Sequence, residues 1–299
     1  MTRPFALSNG LSIPAVGFGT WRLRDPAACT EAVKTAIVSG YRHIDTAHVY
    51  MNEGAVGAGI AAGLAATGLP RESLWITSKL WGNQHNSVAA AVDRMLSELG
   101  VAYLDLLLVH FPIEHDYDYE TEAESNIVKW TPAKVWPLME ALVDAGKVRC
   151  LGVSNFRPSH IDEVLDLARI RPLVNQCEKH PFFAQSYLVE ECAKRGVHVT
   201  AYCPLGSTFE PAVLKSPVLA KIAQAHNTTP AVVALSWGVQ TGTSVVPKSE
   251  NADRIKENLN QVELSAAEVE EISAASPNVS FSDPVAEWGS HLAWMKTDP

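Results

Sequence analysis

The sequence predicts an α/β chain of the (β/α)8 barrel class, a TIM barrel whose bottom is capped by an N-terminal β-hairpin. Three observations carry this expectation. Eight short β-branched or apolar runs recur along the chain, with amphipathic helical stretches between them. No GxGxxG turn follows the first run, as a doubly wound dinucleotide-binding sheet would favour. "FALSNGLSI" at 5–13 reads as two short strands with Asn9-Gly10 at the turn.

In chain order, the strand candidates are "AVGFGT" (15–20), "YRHIDTA" (41–47), "LWITSKL" (74–80) and "YLDLLLVHF" (103–111). They continue with "VRCLGVSN" (148–155), "LVNQCEK" (173–179), "HVTAYCPL" (198–205) and "TSVVPKS" (243–249). Most are continuously apolar, as strands covered on both faces are. Among the helical runs, "AACTEAVKTAIVSG" stops at Gly40, a C′ glycine. "SVAAAVDRMLSELG" starts at Ser87, an N-cap candidate, and stops at Gly100. "SYLVEECAKRG" stops at Gly196, and two helical runs near 216–226 and 229–240 separate the last two strands.

Residues 1–299 are expected to form a single barrel domain, with 277–299 as a C-terminal tail near the active site. The formal charge of −9 opposes a nucleic-acid surface or a polybasic membrane anchor. No apolar run reaches the roughly 20 residues of a membrane span. The N-terminus lacks the apolar core of a signal peptide. Five scattered cysteines, an odd number without CxxC spacing, fit a reducing compartment. The expectation is a cytoplasmic monomer acting on a small molecule.

Barrel active sites lie at the C-terminal ends of the strands. Asp45 ends the second strand candidate and Tyr50 follows it; Lys79 ends the third and His110 the fourth. Neighbouring strands let these side chains converge. A tyrosine ordinarily titrates near ~10, and a nearby ammonium stabilises its phenolate. Asp45 can hold Lys79 charged, and His110 can orient a carbonyl oxygen. Such a set protonates a carbonyl while its carbon is attacked. A metal site at His43, Asp45 and His48 is the rival reading of "HIDTAH"; a lysine beside Asp45 opposes it by repelling a divalent ion.

"GFGTW", "GYRHIDTAHVY", "SKLW", "VHFP", "GVSNF", "NQCEKHP", "AYCPLG" and "VPKSENADRIKEN", in this order, resemble the aldo-keto reductase family. The resemblance runs from about residue 5 to 270 and is closest to aldose and aldehyde reductases. It implies an NADPH-dependent reduction of aldehydes or ketones, with NADPH/NADP+ as cofactor. Asp45, Tyr50, Lys79 and His110 form the implied catalytic tetrad, Tyr50 being the general acid. It assigns Ser154, Asn155 and Gln176 to the nicotinamide amide and Tyr202 to its ring. Leu205 and Ser207 follow the pyrophosphate, and Thr20, Trp21 and Asp45 complete the nicotinamide side. Lys248, Ser249 and Arg254 clamp the adenosine 2′-phosphate, while Glu257 and Asn258 meet the adenine. Two cations and a hydroxyl on one stretch also suit an anion without the resemblance; a solvated helix face is their bland reading.

Glu250, beside that clamp, has the wrong charge for a phosphate neighbour. The implied substrate wall is Trp21, His48, Trp81, His110 and Phe111, with Trp288 from the tail. The acidic stretch 114–125 reads as a rim loop or a solvated excursion. Small neutral sugar-like or aromatic aldehydes are the expected substrates. NADP-dependent polyol or alcohol oxidation is the same chemistry reversed, and a non-catalytic cofactor-binding regulatory subunit is the alternative of another class.

Overall fold

The structure is a computed structural model describing residues 4–115, 127–206 and 212–282. Ser207, most of the acidic stretch, Trp288 and Trp294 lie outside the described residues. Strands β1 (Phe5–Ala6) and β2 (Ser12–Ile13) form the expected antiparallel hairpin. The eight parallel strands are β3 (Phe18–Gly19), β4 (His43–Asp45), β5 (Trp75–Leu80), β6 (Leu104–Val109), β9 (Val148–Ser154), β10 (Val174–Glu178), β11 (His198–Tyr202) and β12 (Ser244–Val245). A two-residue ribbon, β7 (Ile113–Glu114) with β8 (Val128–Lys129), interrupts the alternation.

Every residue of β5 and β6 is buried, as strands covered on both faces require. Outside them run α1 (Pro26–Ser39), α2 (Glu53–Thr67), α3 (Val88–Leu99), α4 (Pro132–Asp144), α5 (Pro158–Leu165) and α6 (Ser186–Lys194). The predicted pair of helices between the last two strands is α7 (Pro217–Ala225) and α8 (Pro230–Gln240). α9 (Ala252–Glu257) and α10 (Ala266–Ala274) follow. α1 begins where the Asp25 carboxylate accepts from the Ala28 amide and ends at Gly40, whose φ of 114° a side chain would oppose. Ser87 occupies the N-cap position of α3 but makes no side-chain cap bond, so its predicted role is only positional.

The sheet closes at β3 and β12. Val16 pairs in parallel with Val245; the Gly17 amide donates to the Val245 carbonyl at 2.8 Å, and the Gly19 amide to the Pro247 carbonyl at 3.0 Å. Both strands are two residues long, shorter than their sequence runs suggest. Gly19 is needed at this seam because a Cβ there would sit 2.7 Å from the Val246 carbonyl oxygen. Beneath the barrel, Leu7 and Ile13 of the hairpin pack with Trp75, Leu106, Cys150 and Val174. The hairpin thus closes one end of the barrel with apolar side chains, and the candidate site residues lie at the other end.

One buried cation stands apart from those residues. Lys179 follows β10, donates to Thr241 Oγ1 at 2.7 Å and lies 3.8 Å above the Trp237 ring. Burial pushes its ammonium down to about 7.

Two outcomes follow for stability. Gly19→Ala forces a methyl against a backbone oxygen and is expected to cost about 1–3 kcal/mol, read as a lower urea midpoint. An unchanged midpoint would contradict the seam geometry. The folded-state value of Lys179 lies below its ordinary 10.5, so its penalty is full below about 7 and fades as pH climbs toward 10.5. Lys179→Met is therefore expected to stabilise the fold more in mildly acidic than in alkaline buffer; equal gains at both would show that the ammonium carries no such penalty.

Candidate active site

The strand ends opposite the hairpin bring Asp45, Tyr50, Lys79 and His110 together. Period-two alternation points Asp45 of β4 and Lys79 of β5 into the barrel, and Tyr50 arrives on a short 3-10 turn at His48–Tyr50. The Lys79 ammonium is fully buried and spends all three of its hydrogens. It donates to Asp45 Oδ1 at 2.8 Å, to the Thr46 carbonyl at 2.8 Å and to Tyr50 Oη at 3.1 Å. The second Asp45 oxygen accepts from Gln176 Nε2 at 2.7 Å. The Tyr50 hydroxyl oxygen thus accepts from lysine, and its own proton is left to be given elsewhere.

The electrostatics depart from the sequence expectation in one respect. An ammonium near a phenol favours the phenolate, but the Tyr50 phenol is held well above its ordinary value. Burial is the larger cause and the Asp45 carboxylate the next. Burial also lowers Lys79, opposed by Asp45. His110 is pushed well below its usual range by burial and then by the Lys79 charge, so the imidazole is neutral. A protonated phenol beside a neutral imidazole can hydrogen-bond a carbonyl oxygen from two sides.

Aromatic rings surround this group. Trp21 lies against Tyr50 at 4.8 Å between centroids, Tyr50 against His110 at 5.8 Å, and Trp81 against His110 at 5.1 Å. Phe111 continues the wall at 5.9 Å from Trp81. Arg22, which the sequence reading passed over, places its guanidinium 5.7 Å from the Trp21 ring centre.

His48 does not take the place expected of it on the substrate wall. Its Nε2 is 3.2 Å from Arg94 Nη2 and its Nδ1 is 3.8 Å from Glu53 Oε2, so both ring nitrogens face helices α2 and α3. The turn places Tyr50, two residues on, at the barrel mouth. His43 diverges from His48: it lies inside the barrel, 3.0 Å from Thr77 Oγ1, and burial lowers it to about 4.

On the opposite arc, Ser154 Oγ donates to the Gln176 carbonyl at 2.8 Å. Asn155, at φ 63°, donates to the His110 carbonyl at 2.9 Å and accepts from Tyr202 Oη at 2.9 Å. This chain fixes the Tyr202 ring at the mouth, with Leu205 after it. Thr20 donates to the Asp45 carbonyl at 3.0 Å. Beyond β12, Lys248 Nζ meets Glu250 Oε1 at 2.7 Å, and Ser249 Oγ accepts from the Asn251 amide at 3.1 Å. Among the described residues, no carboxylate pairs with the Arg254 guanidinium. Glu257 and Asn258 end α9.

Near the site, two buried carboxylates escaped the sequence reading, Glu53 and Glu178. Glu53 Oε1 accepts from Ser78 Oγ at 2.6 Å behind Lys79 and adds to the negative charge around that ammonium. Its signal was its place three residues after Tyr50, at the start of a helix. Glu178 accepts from the amides of Phe281 at 2.7 Å and Ser282 at 3.2 Å, and from His180 Nε2 at 3.0 Å. It latches the segment after α10 beside Tyr202. Nothing local could signal that contact, because its partners lie about a hundred residues away.

The Aldo/keto reductase family model matches residues 15–277. The chain is 40% identical over 266 residues to the 9,11-endoperoxide prostaglandin H2 reductase of Trypanosoma cruzi, covering 88% of this chain and 87% of that protein. It is 39% identical over 290 residues to the glycerol 2-dehydrogenase (NADP(+)) of Saccharomyces cerevisiae, covering 92% and 91%. A solved aldose reductase from Schistosoma japonicum superposes with a TM-score of 0.87 at 35% identity, covering 95% of each chain. With this barrel and these strand ends, the chain belongs to the aldo/keto reductase family.

Proposed function

We propose that the protein reduces aldehydes or ketones to alcohols with NADPH, and that Tyr50 is the general acid. The observation that carries this reading is the hydrogen bond from Lys79 to Tyr50 Oη, which leaves the phenolic proton facing the aromatic mouth. A carbonyl oxygen there would accept from Tyr50 and from the neutral His110 ring. As its carbon is attacked, the oxygen becomes a far stronger base than a phenolate, and the proton transfers. The Lys79 ammonium then stabilises the tyrosinate, with Asp45 and Thr46 holding it in place.

The residues fit a nicotinamide dinucleotide phosphate. Gln176 Oε1 has no protein partner among the described residues, so it can accept from a carboxamide while Nε2 stays on Asp45. The tethered Tyr202 ring offers a stacking face, and Arg254, with no carboxylate partner among the described residues, suits a phosphate. The bound cofactor supplies the hydride to the carbonyl carbon. The yeast relative's name includes NADP(+), which supports the same cofactor here. That name also favours a second reading, alcohol oxidation by the same residues in reverse. The free cysteines support a reducing compartment such as the cytoplasm.

NADPH consumption against a panel of aldehydes tests the activity; no turnover with any member would overturn it. Tyr50→Phe removes the donor with little change in volume and is expected to abolish reduction while cofactor binding persists. A folded Tyr50→Phe variant with near wild-type kcat would show that another group is the acid.

The raised Tyr50 value sets a sign for pH. Reduction needs the phenol protonated, so kcat/KM should stay flat through neutrality and fall only in strong alkali. Oxidation needs the phenolate and should rise with pH. Lys79→Met removes the charge that favours phenolate and should move the oxidation limb to higher pH while lowering kcat. An unmoved limb would separate Lys79 from Tyr50.

The wall of Trp21, Trp81 and Phe111 carries no charge, and Glu114 is the described end of the acidic stretch. Burying an unpaired carboxylate against such a wall is costly. Small neutral sugar-like or aromatic aldehydes should therefore show higher kcat/KM than matched carboxylated ones. The reverse order at both low and high salt would mean that Arg22 recruits the anion.

A further inference from the structure

We propose that Glu250 decides between phosphorylated and unphosphorylated adenosine ribose, and narrows the preference for NADPH until NADH is also accepted. The proposal rests on the reading of this site as one for a nicotinamide dinucleotide.

The loop after β12 and helix α9 that follows it carry two cations suited to a 2′-phosphate, Lys248 and Arg254, and they stand in different states. Lys248 is already committed: its ammonium is 2.7 Å from Glu250 Oε1. Arg254 has no carboxylate partner among the described residues. Between 248 and 257 the charges cancel, with Lys248, Arg254 and Lys256 against Glu250, Asp253 and Glu257. A phosphate approaching this loop must take Lys248 from Glu250 and then tolerate the displaced carboxylate beside it. The pair itself is half exposed and weak, so it does not bar the phosphate. The lasting cost is the like-charge neighbour.

A ribose hydroxyl meets the same loop differently. It can donate to a carboxylate, which is how an acidic residue recognises an unphosphorylated ribose in other nucleotide sites. Glu250 spends Oε1 on Lys248, and a carboxylate has further acceptor capacity for such a bond. One residue therefore weakens the phosphorylated cofactor and strengthens the other.

Binding of NADPH and NADH to the cofactor-free protein, read by quenching of tryptophan fluorescence, tests this without turnover. Glu250→Gln is expected to tighten NADPH about tenfold, the scale of one charge-assisted hydrogen bond, and to loosen NADH severalfold. Lys248→Met should cost less NADPH affinity in the wild-type background than in Glu250→Gln, because in the wild type the phosphate shares the ammonium with the Glu250 carboxylate. Arg254→Ala, the reference for a cation with no carboxylate partner among the described residues, should raise the NADPH Kd roughly 10- to 100-fold and leave NADH unchanged. The proposal is overturned if Glu250→Gln shifts neither Kd, or shifts both in the same direction by the same factor. Wild-type protein that quenches with neither cofactor would overturn the underlying reading itself, a result distinct from equal responses to the substitution.

Discussion

A fully buried ammonium is the constraint around which the rest of this barrel is arranged. Lys79 has left water completely, and an unpaired charge in that position would be ruinous. Its three hydrogens are met by Asp45, Thr46 and Tyr50, and Ser78 next to it holds Glu53 in place behind. Each of those partners is in turn fixed from elsewhere. Thr20 binds the Asp45 backbone, Gln176 binds its carboxylate, and Asn52 ties the following helix to the Thr20 and Leu23 carbonyls. The central charge is therefore satisfied by a connected set of groups, each held by further hydrogen bonds.

The same network joins the two halves of the site. Gln176 touches Asp45 with one end of its amide and leaves the other open. Asn155 links the His110 backbone to the Tyr202 hydroxyl. Residues proposed to handle the proton and residues suited to the cofactor thus share hydrogen bonds through two side-chain amides.

Much of this was legible in the sequence because it is periodic or local. Alternation of strand and helix disclosed the barrel, and the ends of three neighbouring runs disclosed the polar cluster. The illegible parts were matters of direction and burial. Periodicity says nothing about a 3-10 turn, so His48 was read toward the mouth when it faces Arg94 and Glu53. Pairing chemistry suggested an acidified Tyr50, whereas only a folded structure shows that desolvation outweighs the ammonium. The runs at 15–20 and 243–249 looked as long as the others. Their strands are two residues each, and at the seam Gly17 and Gly19 of the first donate to the Val245 and Pro247 carbonyls of the other.

That seam has a consequence for how the molecule comes into being. Val16 and Val245 come from opposite parts of the chain, and so do Tyr41 and Ile255, joined by a 3.0 Å hydrogen bond. Such contacts give the barrel a high contact order, and their loop-closure entropy must be met before they reward the chain. During synthesis, Asp45, Tyr50, Lys79 and His110 emerge long before the strand that completes the cylinder. For most of its translation the nascent polypeptide therefore carries a half-built, open sheet whose first strand has an unsatisfied edge. An unpaired edge of that kind is a template for non-native pairing until the last strand covers it.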